Sequence, residues 1–345
     1  MGFKNTTYKN LSQQIFIKED YKIVPLRYQD RFDIMQWRNE QMYHLRQAKQ
    51  LTSESQEYYF NNVIAKLFEK EQPNQILFSY LKNDECIGYG GIVHIDWRIK
   101  TAEVSFIMDT KLERDFFELN WSKFLSLLKK VVFDELHFNH IFTYAYNLRP
   151  QLYKVLEKNL FEFKSKKKNE IEVDGKKVDI LIHQCENPYN SIKIREITKD
   201  DINLIYNWSN DIVLRNQSFN SNPINFDDHV KWFEQKLTSS KSLLYVNEYK
   251  GTPVGLVRFE KKENHTVLGI SLGKDFRGKG LSSIMLIKSS KHYFLNNELP
   301  ILAYIKESNI ASVKAFEKAG YFFAKNILVN EISTVVYKLE KNGIK

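Results

Sequence analysis

A long-range internal repeat limits the fold of this chain more than any other feature of its sequence. Three residues recur 171 positions later with similar chemistry: Leu26, Asp30 and Trp37 correspond to Ile197, Asp201 and Trp208. Further segments match in the same order: IGYGG (87–91) with VGLVR (254–258), AEVSFIMD (102–109) with VLGISLGK (267–274), and VLEKNLF (155–161) with AFEKAGY (315–321). The offset drifts by only about ten residues, which is ordinary loop variation between two copies of one fold.

The length of the chain agrees with two copies, because 345 residues suit two domains of ordinary size better than one. Residues 186–191, ENPYNS, interrupt both patterns with Pro188 and polar neighbours, as a linker does. We therefore predict domains at residues 1–186 and 187–345.

The composition predicts a globular protein with sizeable cores. Apolar residues make up 43% of the chain, and the mean hydropathy is −0.46. No stretch approaches a membrane span, and the N-terminus MGFKNTTYKN lacks an apolar signal core, so we expect a cytoplasmic protein without membrane attachment. Two cysteines, Cys86 and Cys185, cannot form a metal cluster between them, and we expect no metal site and reduced thiols.

A formal net charge of +9 favours anionic partners, including nucleotides. The densest basic run, residues 164–168 with Lys176 and Lys177, flanks a predicted hairpin turn at Asp174 and Gly175. No aromatic stacking platform is interleaved with these lysines, so they are predicted to coat an exposed hairpin and no nucleic acid is expected.

Residues 272–282, LGKDFRGKGLS, carry the most informative short motif. The segment follows a predicted strand at 267–272 and precedes a helix that starts near Leu281. Gly278 and Gly280 allow the backbone to approach an anion, while the helix offers unpaired N–H groups and its positive dipole end. Arg277 and Lys279 add positive charge. Alone, such a run is as typical of a solvated basic turn as of a phosphate site.

The segments that follow decide between these readings. Residues 300–305, PILAYI, predict a strand, and residues 307–321 predict a helix capped by Ser308 or Asn309 and ended by Gly320. This order of strand, RGKG turn, helix, strand and Asn-capped helix resembles the GNAT family of acyl-CoA N-acyltransferases. The family motif, Arg/Gln-x-x-Gly-x-Gly/Ala, reads here from Arg277 to Ser282, with Ser in place of the final Gly or Ala.

The resemblance implies an α/β (α+β) fold: two GNAT-like domains, each a mixed, mostly antiparallel twisted sheet flanked by helices. It also implies acetyl-CoA as the acyl donor. By resemblance, the cofactor would be held by Ile270, Ser271, Leu272, Arg277, Gly278, Lys279, Gly280, Leu281, Ser282, Asn309, Ser312 and Phe316. Asn309 can either bond the cofactor or cap its helix, and both readings stay open.

The stretch from Trp208 to Leu237 resembles the acceptor side of the nucleotide-amino-sugar N-acetyltransferases of bacterial nonulosonic acid pathways, which build surface glycans. By that resemblance the substrate-binding residues would be Asn210, Asp211, Arg215, Ser218 and Trp232. An arginine and an asparagine suit phosphate or hydroxyl groups, and a tryptophan can stack on a ring. Packing of Trp232 into the core is the alternative.

The implied reaction is direct attack of the substrate amine on the acyl-CoA thioester, with no covalent enzyme intermediate. His229 and Glu260 are the candidate bases, although His229 is equally compatible with a structural role. Many family members place a Tyr on the last core helix to protonate the leaving thiolate, whereas this chain has Phe316 there. Tyr304 or water is therefore expected to take that role.

The N-terminal copy departs from the motif. Residues 111–121, KLERDFFELNW, contain no glycine, and Glu113, Asp115 and Glu118 add negative charge where a pyrophosphate would lie. We predict that this copy has lost ordinary acyl-CoA binding, while a divergent active site stays open as the alternative.

Two other function classes remain open at the level of sequence. One is a protein or peptide N-acetyltransferase of the ribosomal-protein type, and the other is a non-catalytic binding protein built from two degenerate copies. The sequence also leaves open whether the chain acts alone or as a homodimer.

Overall fold

The computed structural model describes residue 3 and residues 5–173 and 175–343. It separates the chain into two compact units, residues 1–187 and 188–345, named below the N-terminal domain and the C-terminal domain. None of the helices in the described part of the chain has both the length and the apolar character needed to cross a bilayer.

The N-terminal domain is an eight-stranded sheet flanked by helices. Its strands are β1 Phe16–Lys18, β2 Tyr21–Pro25, β3 Ile76–Lys82, β4 Glu85–Asp96, β5 Thr101–Met108, β6 His140–Tyr146, β7 Glu162–Val173 and β8 Lys176–Glu186. Its helices are α1 Arg31–Glu40, α2 Ser53–Tyr59, α3 Ala65–Leu67, α4 Thr110–Lys129 and α5 Pro150–Lys158, with 3₁₀ turns at Tyr28–Asp30 and Met42–His44 and π-helical turns at Phe60–Ile64 and Lys130–Glu135. The strand order is β1-β2-β3-β4-β5-β6-β8-β7, and only β5 and β6 pair in parallel.

The core of this domain lies between the sheet and α4. Phe117, Trp121, Phe124 and Leu128 recur at helical spacing and are buried, so one face of α4 covers the sheet. The ring of Phe124 stacks on Phe106 of β5 with centroids 4.0 Å apart.

The C-terminal domain repeats this plan with seven strands. They are β9 Ile192–Glu196, β10 Ser242–Tyr249, β11 Thr252–Lys261, β12 Thr266–Leu272, β13 Ile301–Lys306, β14 Phe322–Val329 and β15 Ile332–Leu339. The helices are α6 Pro188–Ser191, α7 Ile202–Ser209, α8 Ile212–Gln217, α9 Phe226–Thr238, α10 Leu281–Leu295 and α11 Ile310–Lys318, with 3₁₀ turns at Lys199–Asp201, Lys274–Phe276 and Lys341–Gly343. The order is β14-β15-β13-β12-β11-β10-β9, and only β12 and β13 pair in parallel.

Helices cover both faces of this second sheet. On one face, Ile205 of α7 and Phe233 of α9 form a buried cluster with Leu256 of β11. On the other face, Tyr293 of α10 stacks on Phe259 with ring centroids 4.7 Å apart. The mixed, mostly antiparallel sheets flanked by helices confirm the predicted fold class.

The predicted helix signals in the C-terminal domain are also confirmed. Asn309 is the N-cap of α11 and accepts the Ser312 N–H at 3.2 Å. Gly320 has φ +89°, the left-handed conformation that ends a helix. In the N-terminal domain Leu160 adopts the same region at φ +67° without being glycine, so this turn has kept its shape.

Of two predicted connections, one differs in detail from the expectation. The segment predicted as a linker contains one helical turn, α6, because Pro188 suits the first position of a helix. Strands β7 and β8 form the predicted lysine-rich hairpin with Gly175 at φ +73°, whereas Asp174 lies outside the described residues.

Candidate active site

The candidate site lies where the two parallel strands of the C-terminal domain separate. Strands β12 and β13 pair only at Thr266 with Ile301 and at Val267 with Leu302, and beyond these pairs the ladder ends. The residues of β12 past this point therefore border an open cleft.

Backbone groups of β12 point into this cleft. The Thr266 N–H donates to Pro300 O on the β13 side at 2.8 Å, whereas the Gly273 N–H donates to Val254 O beside β11 at 2.8 Å. Backbone direction alternates along a strand, so the N–H and C=O groups of Ile270 and Leu272 face the cleft. The sequence prediction placed cofactor contacts at Ile270, Ser271 and Leu272. The strand presents the polar backbone groups of Ile270 and Leu272 there, whereas those of Ser271 point toward β11 because backbone direction alternates.

The predicted phosphate turn has an open backbone. Gly278 and Gly280 have φ +73° and +81°, and no atom lies within 4 Å of where a Cβ would stand on either residue. Gly280 is the N-cap of α10 and provides no side-chain cap. In the part of the chain that the structure describes, the N–H groups of Gly278 and Gly280 donate no hydrogen bond. Free N–H groups at a helix N-terminus form a ready anion site.

The two cations of this turn, Arg277 and Lys279, differ in whether a carboxylate already neutralises them. Arg277 Nη2 lies 2.7 Å from Asp211 Oδ1, and its Nε donates to Leu272 O at 3.2 Å. Its charge is therefore already matched by a carboxylate. Lys279 lies over the ring of Phe276 at 5.5 Å, and burial lowers its pKa. Lys279 thus carries the cationic charge that the turn can offer to an anion.

The remaining predicted cofactor residues fall into two groups. Leu281 and Phe316 are buried in the core, so their side chains anchor the start of α10 and α11 to the domain. Ser282 and Ser312 lie half-buried in the first turns of α10 and α11. Asn309 uses its carbonyl oxygen as the helix cap, which is one of the two roles left open for it.

The acceptor side of the cleft is identified by which side chains of β11 face α7 and α9. Leu256 packs against Ile205 and Phe233, so Arg258 and Glu260, at the same parity on β11, lie on the face that α7 and α9 cover. We call this the acceptor face. Glu260 is half-buried and lies 3.2 Å from Lys236 Nζ at the end of α9.

Strand β13 adds two side chains to the acceptor face. Val267 and Leu302 are paired in register, so Tyr304 and Lys306 extend on that side. Lys306 Nζ donates to Asn216 O of α8 at 2.9 Å. Tyr304 is half-buried, and its hydroxyl has no hydrogen bond to the described residues.

Arg258 is a functional candidate that the motif search did not find. Arg258 of β11 pairs with Gly269 of β12 in register. A Cβ on Gly269 would lie 2.6 Å from Arg258 Nε, so the arginine side chain crosses β12 at its glycine. Arg258 is exposed and forms no hydrogen bond or ion pair with the described residues. A single arginine in a strand has no motif, but the alternation with Glu260 would have placed it on this face.

The predicted acceptor residues around α8 mostly make hydrogen bonds that cap this helix or close the loop after it. Asn210 donates to Ile224 O at 2.9 Å and accepts the Ile224 N–H at 2.7 Å, which closes the loop after α8. Asp211 caps α8 by accepting from Val213 N and Leu214 N. The hydroxyl of Ser218 donates to Leu214 O at 2.9 Å.

Arg215 is the predicted acceptor residue that still has an unused hydrogen-bond donor. Its Nη2 donates to Asn220 O, whereas its Nε is buried without a hydrogen-bond partner. A buried guanidinium N–H without a partner is unfavourable, and a bound acceptor group would satisfy it.

His229 and Trp232 lie inside α9 rather than in the cleft. His229 is 2% exposed, its Nε2 is 3.0 Å from Ile202 O, and aromatic rings surround it. Burial lowers its pKa, so the ring is neutral near pH 7. Trp232 packs against the cluster around Phe233. This placement fits the structural reading of both residues.

The corresponding segment of the N-terminal domain is helical instead of open. Asp109 N–H donates to Ile87 O at 2.9 Å, as Gly273 does to Val254, so residues 110–116 correspond to residues 274–280. They form the first turns of α4, whose helical geometry breaks at Phe116, the counterpart of Gly280. Asp109 caps this helix by accepting the Lys111 N–H at 3.0 Å.

Comparison with known proteins assigns both halves to one family. Models of the acetyltransferase (GNAT) domain match residues 23–182 and residues 191–321. A search of curated proteins finds no match.

Several solved structures are similar to part of the chain. Spermidine N-acetyltransferase from Vibrio cholerae, in complex with CoA and spermine, is 15% identical, covers 45% of this chain and 98% of its own, and has a TM-score of 0.42. Aminoglycoside acetyltransferase AAC(6')-Ib, in complex with coenzyme A and kanamycin, is 16% identical over 44% and 96% of the two chains, with a TM-score of 0.40. An uncharacterized protein from Bacillus halodurans is 18% identical over 44% and 86%, also with a TM-score of 0.40.

At these identities and TM-scores, the solved structures say nothing about what this chain acts on. The two family matches together span most of the sequence and agree with the repeated fold. The chain therefore belongs to the GNAT acetyltransferases and carries two such domains in tandem.

Proposed function

We propose that the C-terminal domain transfers the acetyl group of acetyl-CoA to the amine of a nucleotide-linked amino sugar. The observation that carries this proposal is the pairing of two anion sites across one cleft. The open turn at Gly278 and Gly280 offers one, and the unpaired Arg258 on the acceptor face offers the other.

The donor side fits coenzyme A. Free N–H groups at the start of α10, with Lys279 beside them, suit a pyrophosphate. The cleft-facing backbone of Ile270 and Leu272 suits a chain of amides, which needs donors and acceptors in alternation. Acetyl-CoA, when bound, supplies an activated thioester.

The charge of the acceptor face favours an acceptor that carries phosphate. Asp211 and Glu260 are already paired with Arg277 and Lys236. Arg258 and the Arg215 Nε have no partner among the described residues. A polyamine or aminoglycoside would meet uncompensated positive charge here, whereas a nucleotide diphosphate would neutralise it.

The side chains of the acceptor face can manage the proton transfers of amide formation. Glu260, held by Lys236, is the carboxylate on this face that can accept the ammonium proton. The Ile270 N–H is available to polarise the thioester carbonyl. The free hydroxyl of Tyr304 can donate a proton to the leaving thiolate. Placement of both reactants in one cleft supplies the main part of the acceleration.

A substrate panel tests this proposal. The full chain is incubated with acetyl-CoA and with UDP- and dTDP-amino sugars, peptides with free N-termini, spermine or kanamycin, and products are read by mass. We expect a mass gain of one acetyl group on a nucleotide amino sugar. Preferential acetylation of peptides or of the polycations would overturn the assignment.

Arg258→Gln provides a test specific to the acceptor. We expect KM for the nucleotide sugar to rise about tenfold, as loss of a charged hydrogen bond predicts, with acetyl-CoA affinity unchanged. Lys325→Gln, which removes an exposed cation from β14, is the matched control and should leave both constants unchanged. An unchanged KM in Arg258→Gln would contradict the role of Arg258.

Calorimetry with acetyl-CoA tests whether one domain or both bind the acyl donor. The helical segment at residues 110–116 and its Asp109 cap remove the phosphate turn from the N-terminal domain. We therefore expect one acetyl-CoA per chain. Two equivalent sites would show that the N-terminal domain binds the donor as well.

A further inference from the structure

The N-terminal domain keeps a cleft even though its phosphate turn is helical. Strands β5 and β6 pair only at residues 101–103 with residues 140–142, and where they separate a cavity of about 320 Å³ opens. Phe106, Trp121 and Tyr144 form part of its wall. A volume of this size admits a small organic molecule.

Two charged pairs at the cavity are internally matched. Arg46 pairs with Glu103, whose side chain is 7% exposed. Arg149, the N-cap residue of α5, pairs with Glu113 of α4 at 3.0 Å. These pairs contribute little net charge to a ligand.

Arg38 is the cavity cation without a carboxylate. It projects from α1, donates to Tyr89 OH at 2.6 Å and to Gln47 Oε1 at 3.0 Å, and forms no ion pair with the described residues. Both of its partners are neutral groups. The cavity therefore carries an excess positive charge at Arg38.

Thr143 of β6 also lines this cavity and is unsatisfied, but it lies on the face of the sheet that α4 covers, opposite to Arg38 and its partner Tyr89. Its side chain is 3% exposed and its Oγ1 has no hydrogen-bond partner. A buried hydroxyl without a partner is unfavourable unless a ligand or another group bonds it. This observation is independent of the charge of Arg38.

We propose that this cavity binds a small anionic molecule whose carboxylate or phosphate lies at Arg38 and whose other end reaches the Thr143 hydroxyl through the gap between β5 and β6. Coenzyme A does not fit this description, because Asp109 and the helical start of α4 replace the site for its pyrophosphate. The proposal concerns the N-terminal domain and stands apart from the function proposed for the C-terminal domain.

The test uses the full chain, with intrinsic fluorescence as readout because Trp121 lines the cavity. Inorganic phosphate and succinate are titrated at constant ionic strength, and putrescine serves as the cationic comparison. We expect saturable quenching by at least one of the anions, which also distinguishes phosphate from carboxylate recognition, and none by putrescine. Trp121→Phe should remove this signal.

Variants localise the binding. Arg38→Gln should weaken both anions about tenfold or more, and Thr143→Val should weaken the longer succinate without lowering Tm, because the hydroxyl makes no bond in the folded chain. Arg98→Gln, which removes an exposed cation from the same domain, should have no effect. Phosphate bound at the C-terminal turn would instead be lost in Gly280→Val and kept in Arg38→Gln.

Three outcomes would overturn the proposal. They are the absence of saturable binding by both anions, equal binding of putrescine, and affinities that neither Arg38→Gln nor Thr143→Val changes. Acetyl-CoA binding should be unchanged in Arg38→Gln, so failure of this proposal and failure of the acetyltransferase assignment give different results.

Discussion

The Arg277 guanidinium lies 2.7 Å from the Asp211 carboxylate and joins the phosphate turn to the N-cap of α8. Burial raises the pKa of Asp211, but the hydrogen bonds from Arg277 and from the α8 N–H groups outweigh it, and the pKa falls below its usual range. One ion pair thus connects the donor side of the cleft with the acceptor side.

A double-mutant cycle tests this connection. Asp211→Asn and Arg277→Gln should each weaken acetyl-CoA binding and raise the acceptor KM, and the double variant should cost less than their sum by about 1 kcal/mol or more. The measurements are calorimetry with acetyl-CoA and steady-state kinetics. Asp201→Asn breaks another Arg–Asp pair of the same domain, with Arg195, and should lower stability alone. Additive effects at Asp211 and Arg277 would mean that the pair does not couple the two sides.

Gly280→Val should abolish acetyl-CoA binding. A β-branched residue at φ +81° is strained by about 1 to 2 kcal/mol and places methyl groups over the N–H groups of the turn. Gly251→Val is the matched control, because Gly251 has φ +80° and equally open surroundings in the β10–β11 turn. Both variants should lose similar stability in urea titrations. Calorimetry should show lost acetyl-CoA binding in Gly280→Val alone.

Tyr304→Phe should lower kcat by roughly tenfold to hundredfold while KM for acetyl-CoA stays constant, since the hydroxyl has no other partner among the described residues. His229→Leu should retain kcat and lower Tm, because the Nε2 contact with Ile202 O is structural. Steady-state kinetics of both variants provide the comparison. A large loss of kcat in His229→Leu with unchanged Tm would assign catalysis to His229 instead.

The N-terminal domain should lose stability in mild acid through His44. Burial, followed by repulsion from Arg149, lowers the pKa of His44 to about 3. The unfolded chain binds this proton near pH 6.5 and the folded chain does not, so the stabilisation is complete above that pH and declines from there toward pH 3. Urea unfolding at pH 7.5, 6 and 5 should show a smaller decline in His44→Gln. The same change at the exposed His137 should leave the decline as it is.

Short-range patterns identified the turn and the helix caps on the donor side of the site, whereas the fold class followed from the family resemblance and the internal repeat. Gly278, Gly280, Asn309 and Gly320 occupy positions where backbone conformation or capping demands their residue type, so short-range patterns identify them. The repeat extends this reading to the N-terminal copy.

The acceptor side could be read less well, because its side chains meet through long-range packing. Nothing near Arg277 in the sequence predicts that Asp211 would engage it from 66 positions away. Arg258 depends on the register of β11 with Gly269. His229 has the same sequence context whether it faces the cleft or the core, and only the packing of α9 on Tyr206 and Ile202 of α7 distinguishes the two.

The break in helical geometry at Phe116 marks how the two copies diverged. Residues 110–116 and 274–280 are equal in number, yet one segment is wound into a helix and the other is an open turn. The connection that carries these segments is longer in the N-terminal domain, since Ala102 pairs with Ile141, 39 positions on, whereas Thr266 pairs with Ile301, 35 positions on. A match to the family is therefore no guide to whether a copy keeps the open turn, because both copies match and the described residues form that turn in the C-terminal copy alone.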